Sequence, residues 1–463
     1  MRRARPGPLP DQLLNLSPGP ENSVTTIVQP PLAGRLWPAG TGITPTGLCL
    51  SGIALSDLAA TYGTPAVILD EDDFRARCRT WRRAFAGHDV YYAAKAFLCH
   101  ATARWLSEEG LGIDVCSEGE LRTALEGGIA PQAIVMHGNN KSAAELAAAV
   151  KHRIALVVID SLDEIRRLSA AATAAGREQR VLIRVTPGID AHTHSHITTS
   201  TDDQKFGFSL RAGAAAEAAE AVLASPGLRL VGLHSHLGSQ ITRPEVLHEG
   251  IVALVSFIGA LARRHKVSTE VLDLGGGYAI AYTPDDVPLD IATIAPQLID
   301  WVTRACHDAG LPVPRLAVEP GRAIAGPTAL TLYRVGTVKR QRGLRTWVAV
   351  DGGMSDNIRP ALYDASYSVA LANRGSSRAA EVFTVCGRHC ESGDVIAKDV
   401  LLPGDLEVGD LLAVPASGAY HRSMASTYNM QPRPPVIAVG GGMARAIVRR
   451  ETLDDLQRLD VRD

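Results

Sequence analysis

The sequence predicts an α/β chain: a (β/α)8 barrel of the TIM type followed by a separate C-terminal β domain. Three observations predict it. Eight short apolar, β-rich runs recur between about residues 90 and 322, most of them separated by Ala-, Leu-, Glu- and Arg-rich helical stretches. Polar residues gather at or just past the C-terminal ends of those runs, the rim on which barrel enzymes build their sites. After about residue 336 the alternation stops, and short β-like runs broken by Gly, Pro and Asp take over. A doubly wound open sheet shares the alternation and stands as the structural alternative on counting alone.

Taken in order, residues 1–45 hold nine of the 27 prolines and read as a flexible tail. Residues 46–70 carry a short helix (56–60) and a strand (65–69), and are expected to pack with the β domain. The barrel is assigned to 71–335. Its strand-like runs are 90–95, 112–117, 134–138, 155–160, 181–187, 230–238, 271–278 and 316–322. Its clearest helical stretches are 101–110, 118–127, 142–151, 163–175 and 214–223. The β domain, 336–463, carries runs at 346–351, 381–386, 411–414 and 436–439, and a last helix near 452–459.

Composition excludes several classes. Lys+Arg 47 against Asp+Glu 49 gives a net charge of −2. A protein that neutralises a phosphate backbone needs a basic excess, so no nucleic-acid partner is expected. No run approaches 18 apolar residues, so no membrane span is expected. The start, Met1-Arg2-Arg3-Ala4-Arg5-Pro6, is basic with no apolar stretch behind it, which does not support a secretion signal. Seven cysteines, an odd number spread from Cys49 to Cys390, favour a reduced, cytoplasmic protein.

Six motifs carry chemistry. Tyr91-Tyr92-Ala93-Ala94-Lys95 ends the first run; a lysine there is either a salt-bridged rim residue or a Schiff-base nucleophile. His234-Ser235-His236-Leu237-Gly238-Ser239-Gln240 follows the sixth. Its histidines suit a metal, although no third ligand is near, or a ring stacked on a flat cofactor followed by small phosphate donors. Leu274-Gly275-Gly276-Gly277 is either a plain tight turn or a cradle of bare N–H groups for a phosphate, and it matches neither dinucleotide nor nucleotide-triphosphate patterns. Glu319-Pro320-Gly321-Arg322 offers a carboxylate that pairs with Arg322 or meets the ring nitrogen of a pyridine. Cys386-x3-Cys390 with His389 lacks a second ligand pair, so no metal is assigned there. His192, His194 and His196 form a further possible metal tract in a polar stretch rich in Thr and Ser, which favours a plain or gating loop.

Together the motifs YYAAKAF, HGNNK, HSHLGSQ, LDLGGGY, EPGRAIAGP, DGGMSDNIRPALY, CESGD and GAYHRSMASTYN resemble the alanine-racemase-fold pyridoxal-phosphate decarboxylases, and within them the diaminopimelate decarboxylase family, from about residue 48 to the C-terminus. The resemblance implies pyridoxal 5'-phosphate as cofactor and meso-diaminopimelate as substrate, decarboxylated to L-lysine. Lys95 would hold the cofactor covalently, His236 would stack on its ring and Ser239 would help position it. Gly276, Gly277, Gly321 and Arg322 would cradle its phosphate end, and Glu319 would contact the pyridine nitrogen. Arg322, Arg359, Tyr363 and Tyr420 would bind substrate, with Tyr420 also touching the phosphate. Cys390 would protonate the reacting carbon and Glu391 would hold the distal amino group, both reaching in from the partner subunit of a homodimer with shared sites.

The chemistry agrees with that assignment. A substrate with two amino-acid ends needs a cation for the distal carboxylate and an anion for the distal ammonium, and Arg359, Arg322 and Glu391 supply them. Two residues depart from the expected pattern: Glu118 after the second run, and His421 beside Tyr420. Both bear on substrate preference. The competing readings are a same-fold decarboxylase of ornithine, arginine or lysine, an amino-acid racemase, and a non-catalytic cofactor carrier. Ornithine or lysine leaves no distal carboxylate for Arg359.

Overall fold

The computed structural model describes residues 35–189 and 205–461. The tract of His192, His194 and His196 lies outside the described residues.

Eight parallel strands close into a barrel: Asp89–Ala93, Gly112–Val115, Ile134–Met136, Leu156–Ile159, Gln179–Thr186, Leu228–His234, Val271–Asp273 and Arg315–Val318. Each pairs with its sequence neighbour, and Ala317–Val318 return to Asp89–Val90 to close the ring. The period-two alternation of β-structure divides their side chains between two cores. Tyr91, Val135, Val158, Leu182, Val231 and Ala317 form a small cluster inside the barrel. Tyr92, Ile113, Ile134, Val157, Ile183 and Leu272 join the large cluster beneath the outer helices.

The observed strands stop earlier than the apolar runs suggest. Within the run 230–238 the strand ends at His234, and within 271–278 it ends at Asp273, with Tyr278 making one isolated bridge to Ile241. The residues beyond these strand ends are mostly apolar and small but turn over the rim, with Gly275 and Gly277 at φ 68° and 100°.

The outer helices start where their sequences supply caps. The side chains of Ser117, Ser142 and Ser161 accept the N–H groups of Glu120, Glu145 and Glu164. Helix Pro244–His265 is by length and composition apolar enough to cross a membrane. Its Val246, Ile251, Leu254, Val255 and Ile258 are nonetheless packed in the barrel's large core.

The second sheet corrects two boundaries. Strand Ala329–Lys339, expected within the barrel, pairs antiparallel with Ala66–Asp70, Thr346–Val350 and Leu411–Val414. The barrel therefore ends near residue 328, and the expected packing of residues 46–70 with the β domain takes the form of a strand in that sheet. The sheet continues through Ala380–Cys386 and Val395–Pro403 on one side, and Val436–Gly440 and Met443–Val448 on the other.

The second correction concerns the tail assigned to 1–45. Its described part is anchored: Leu36 and Trp37 are buried, and Thr41–Thr44 pairs with Gly47–Leu50. Asp70 Oδ2 accepts the Gly40 N–H at 2.8 Å. Proline content registers local stiffness and is blind to a Leu-Trp pair with a core to enter.

Candidate active site

A cavity of about 530 Å³ opens at the C-terminal ends of the barrel strands and reaches the second sheet. Ala93, Lys95, Asp114, His236, Gly276 and Glu319 line it from the barrel side; Arg359, Tyr363, Ala365 and Tyr420 line it from the other.

Lys95 lies in a short 3-10 turn, Ala94–Ala96, just past the first strand. Loss of hydration works against its charge, but Tyr420, Asp114 and Glu319 outweigh that and hold its pKa above the ordinary lysine value. Tyr420, at φ 63°, is tied to the same turn by donating its N–H to Ala96 O at 2.9 Å.

Glu319 is the centre of a buried polar group. Its Oε1 lies 2.6 Å from His137 Nε2 and its Oε2 lies 3.2 Å from His234 Nε2. Burial alone would raise its pKa; the flanking histidines reverse this and hold it well below the carboxylate range. Burial pushes His137 down to about 4 and lowers His234 as well. The arrangement is therefore a carboxylate held between two buried imidazoles, with His234 Nε2 in hydrogen-bond geometry to Oε2 and His137 Nε2 in close approach to Oε1. Burial and the Glu319 charge push the Asp273 pKa well above its usual range, and its Oδ1 accepts the Gly275 N–H at 2.9 Å. His137, His234, Asp273 and Glu319 bring their ligand atoms within 4.8 Å of one another. The two histidines proposed from sequence as a pair serve different sites: His234 faces Glu319, whereas His236 accepts the Gly276 N–H on Nδ1 at 3.1 Å.

The glycine run leaves no room for side chains. A Cβ on Gly276 would lie 2.3 Å from Glu319 O, and one on Gly277 would lie 2.1 Å from Gly238 O. Arg322 donates to Ser239 Oγ at 2.9 Å and to Tyr282 Oη at 2.5 Å, with its guanidinium 4.6 Å from the Tyr420 ring. Gln240 pins the loop by exchanging two 3.0 Å hydrogen bonds with the Ile280 backbone. Bare backbone and a guanidinium at one end of the cavity, an anionic carboxylate and a lysine along its wall: this donor set fits a phosphorylated pyridine aldehyde.

The family model for the pyridoxal binding domain of pyridoxal-dependent decarboxylases matches residues 71–326. The diaminopimelate decarboxylase of Mycobacterium leprae is 50% identical over 441 residues, covering 93% of this chain and 93% of that protein. That of Bacillus subtilis is 41% identical over 416 residues, covering 89% and 94%. A solved structure of the M. jannaschii diaminopimelate decarboxylase with L-lysine superposes with a TM-score of 0.86 at 30% identity, covering 91% of this chain and 98% of that one. The chain belongs to the diaminopimelate decarboxylase family.

It is thus a pyridoxal-dependent decarboxylase by family, and most residues singled out in its sequence meet in one cavity: Lys95, His236, Ser239, Gly276, Gly277, Glu319, Gly321, Arg322, Arg359, Tyr363 and Tyr420. Cys390 and Glu391 do not. Both are exposed on the loop between strands Ala380–Cys386 and Val395–Pro403, outside that cavity; Cys390 N–H donates to Asn429 Oδ1 at 3.1 Å. Glu118 also lies outside it, exposed in the first turn of helix Glu118–Glu126, where a carboxylate complements the helix N-terminus. Asn139 and Asn140 are exposed as well; the working residues of their motif are His137 and Lys141.

Sequence reasoning missed Asp114, His137 and Asp273. A signal was available. Each is a lone charged or polar residue at or beside the end of an otherwise apolar strand, and such a residue either points into the barrel or goes unpaired.

Proposed function

We propose that this chain decarboxylates meso-diaminopimelate to L-lysine and CO2, with pyridoxal 5'-phosphate as cofactor. The observation that carries the reading is Arg359, buried on the far wall of the cavity that holds Lys95 and Glu319. A cation there answers a carboxylate at the far end of the substrate, which ornithine and lysine do not possess.

When bound, pyridoxal phosphate supplies an electron sink for the pair left behind by CO2. The protein's own groups do the rest. Lys95 would anchor the cofactor through its amine and give up that place to the amine of the substrate. Gly276, Gly277, Gly321 and Arg322 would receive the phosphate, His236 would stack on the ring, and Glu319 would hold a proton on the ring nitrogen. Arg359, Tyr363 and Tyr420 orient the substrate so that the carboxylate to be lost stands at the cofactor.

The outward position of Cys390 and Glu391 supports a homodimer in which each subunit lends them to the other's cavity. There the thiol of Cys390 of the partner subunit delivers a proton to the carbon that lost CO2, and Glu391 of the partner subunit holds the distal ammonium. The seven cysteines are all free, which supports a cytoplasmic location. Carboxyl-labelled meso-diaminopimelate tests the reading: labelled CO2 and L-lysine should appear in equal amounts. Racemised substrate without CO2 release would refute it.

A further inference from the structure

His421 is fully enclosed, 1% exposed, at the start of the short turn that follows Tyr420. Its Nε2 lies 2.9 Å from Tyr367 Oη, and the two rings meet edge to face at 5.4 Å. The same Tyr367 oxygen receives Nη1 of Arg359. The Arg359 guanidinium lies 4.4 Å from the Tyr282 ring, and Tyr282 meets Tyr367 edge to face at 5.2 Å.

The proton inventory fixes the direction of this chain. A guanidinium only donates, so Tyr367 must accept from Arg359. Its single O–H then finds its acceptor in His421 Nε2, the arrangement that leaves fewest buried groups unpaired, with the imidazole neutral and protonated on Nδ1. Burial, with the charges of Arg359 and Arg322, holds His421 well below the usual histidine pKa and so keeps it neutral. Its Nδ1 has no hydrogen-bond partner. A buried donor left unsatisfied costs free energy, so the use of this residue lies at the other end of the chain, at Arg359.

We propose that His421 is a specificity-positioning residue: through Tyr367 it fixes Arg359 in the orientation that receives the substrate's distal carboxylate. The proposal rests on the reading of Arg359 given above. His421 does not line the cavity. It acts by removing the alternative orientations in which Tyr367 swings away and Arg359 follows.

The test compares inhibition of the holoenzyme by L-lysine, which bound as the product keeps the substrate's distal carboxylate, and by cadaverine, the same chain with no carboxylate. His421→Leu should raise the L-lysine Ki and the meso-diaminopimelate KM about five- to tenfold, the worth of one net hydrogen bond. kcat should stay within about twofold and the cadaverine Ki should not move. His421→Gln, which returns an acceptor, should recover most of the loss. Tyr367→Phe should reproduce His421→Leu and stands in for it if that variant fails to fold. Equal weakening of L-lysine and cadaverine, or unchanged L-lysine binding in both His421→Leu and Tyr367→Phe, overturns the proposal. Arg359→Gln separates the two layers. If it leaves L-lysine binding intact, the substrate reading falls and the proposal with it. If it weakens L-lysine while His421→Leu and Tyr367→Phe do not, only the positioning role falls.

Discussion

Replacing Lys141 with Met should destabilise the barrel by about 3–5 kcal/mol. The side chain is 2% exposed, and its Nζ donates to Gly138 O at 2.8 Å, Val158 O at 2.6 Å and Glu164 Oε1 at 2.7 Å. Burial pushes the Lys141 pKa down and the Glu164 pKa up, so for both partners desolvation outweighs mutual attraction. Such a pair adds little net stability, yet removing one member strands the other. In Lys141→Met the Glu164 carboxyl has no cation and two carbonyls lose their donor. In Lys141→Met with Glu164→Leu the stranded charge is gone; only Gly138 O, Val158 O and the Asp160 N–H that Glu164 Oε2 accepted are left, about 1–3 kcal/mol. Urea unfolding followed by far-UV circular dichroism reads both. The single variant should lower the midpoint by about 1–2 M, and the double variant should recover at least half of that. The sign with pH comes from Glu164. Without Lys141 its folded pKa rises further above the unfolded value, so the single variant's deficit should grow as pH rises and shrink as the carboxyl takes up a proton. A single variant within about 1 kcal/mol of wild type, or a double variant worse than the single, refutes the reasoning.

The cavity leads to two further outcomes. Gly277→Ala puts a Cβ 2.1 Å from Gly238 O at a residue with φ 100°, so the phosphate cradle must shift. Cofactor affinity, measured by titrating the apoprotein with pyridoxal phosphate, should fall at least about tenfold, and a change under twofold would contradict the cradle. Mixing inactive Lys95→Ala with inactive Cys390→Ala should restore about a quarter of wild-type activity, because half of the dimers are hybrids with one intact site each. A mixture that stays inactive while subunits exchange would rule out shared sites.

The barrel was legible because its two periods, strand and helix, are local properties of the chain. So was the rim, since a polar residue after an apolar run has few places to go. Membership of a sheet is not local. Ala329–Lys339 reads as a strand in either domain, and only its antiparallel register with Ala66–Asp70 assigns it to the second. The anchoring of Leu36 and Trp37 was hidden for the same reason, since their core is built from residues up to Val439. Within the site, Lys95, Glu319 and Arg322 announce themselves by motif. Asp114, His137 and Asp273 matter through burial beside one another, which spacing along the chain does not encode. His421 looked like a departure from pattern; its role became readable once Tyr367 stood between it and Arg359.

The central claim is that Arg359 selects a substrate with a second carboxylate. Its most direct test is kcat/KM of the purified holoenzyme for meso-diaminopimelate against L-lysine and L-ornithine, each followed by CO2 release. Meso-diaminopimelate should lead by at least about a hundredfold, the worth of a buried charge-assisted pair. Equal or faster turnover of ornithine or lysine would contradict the claim.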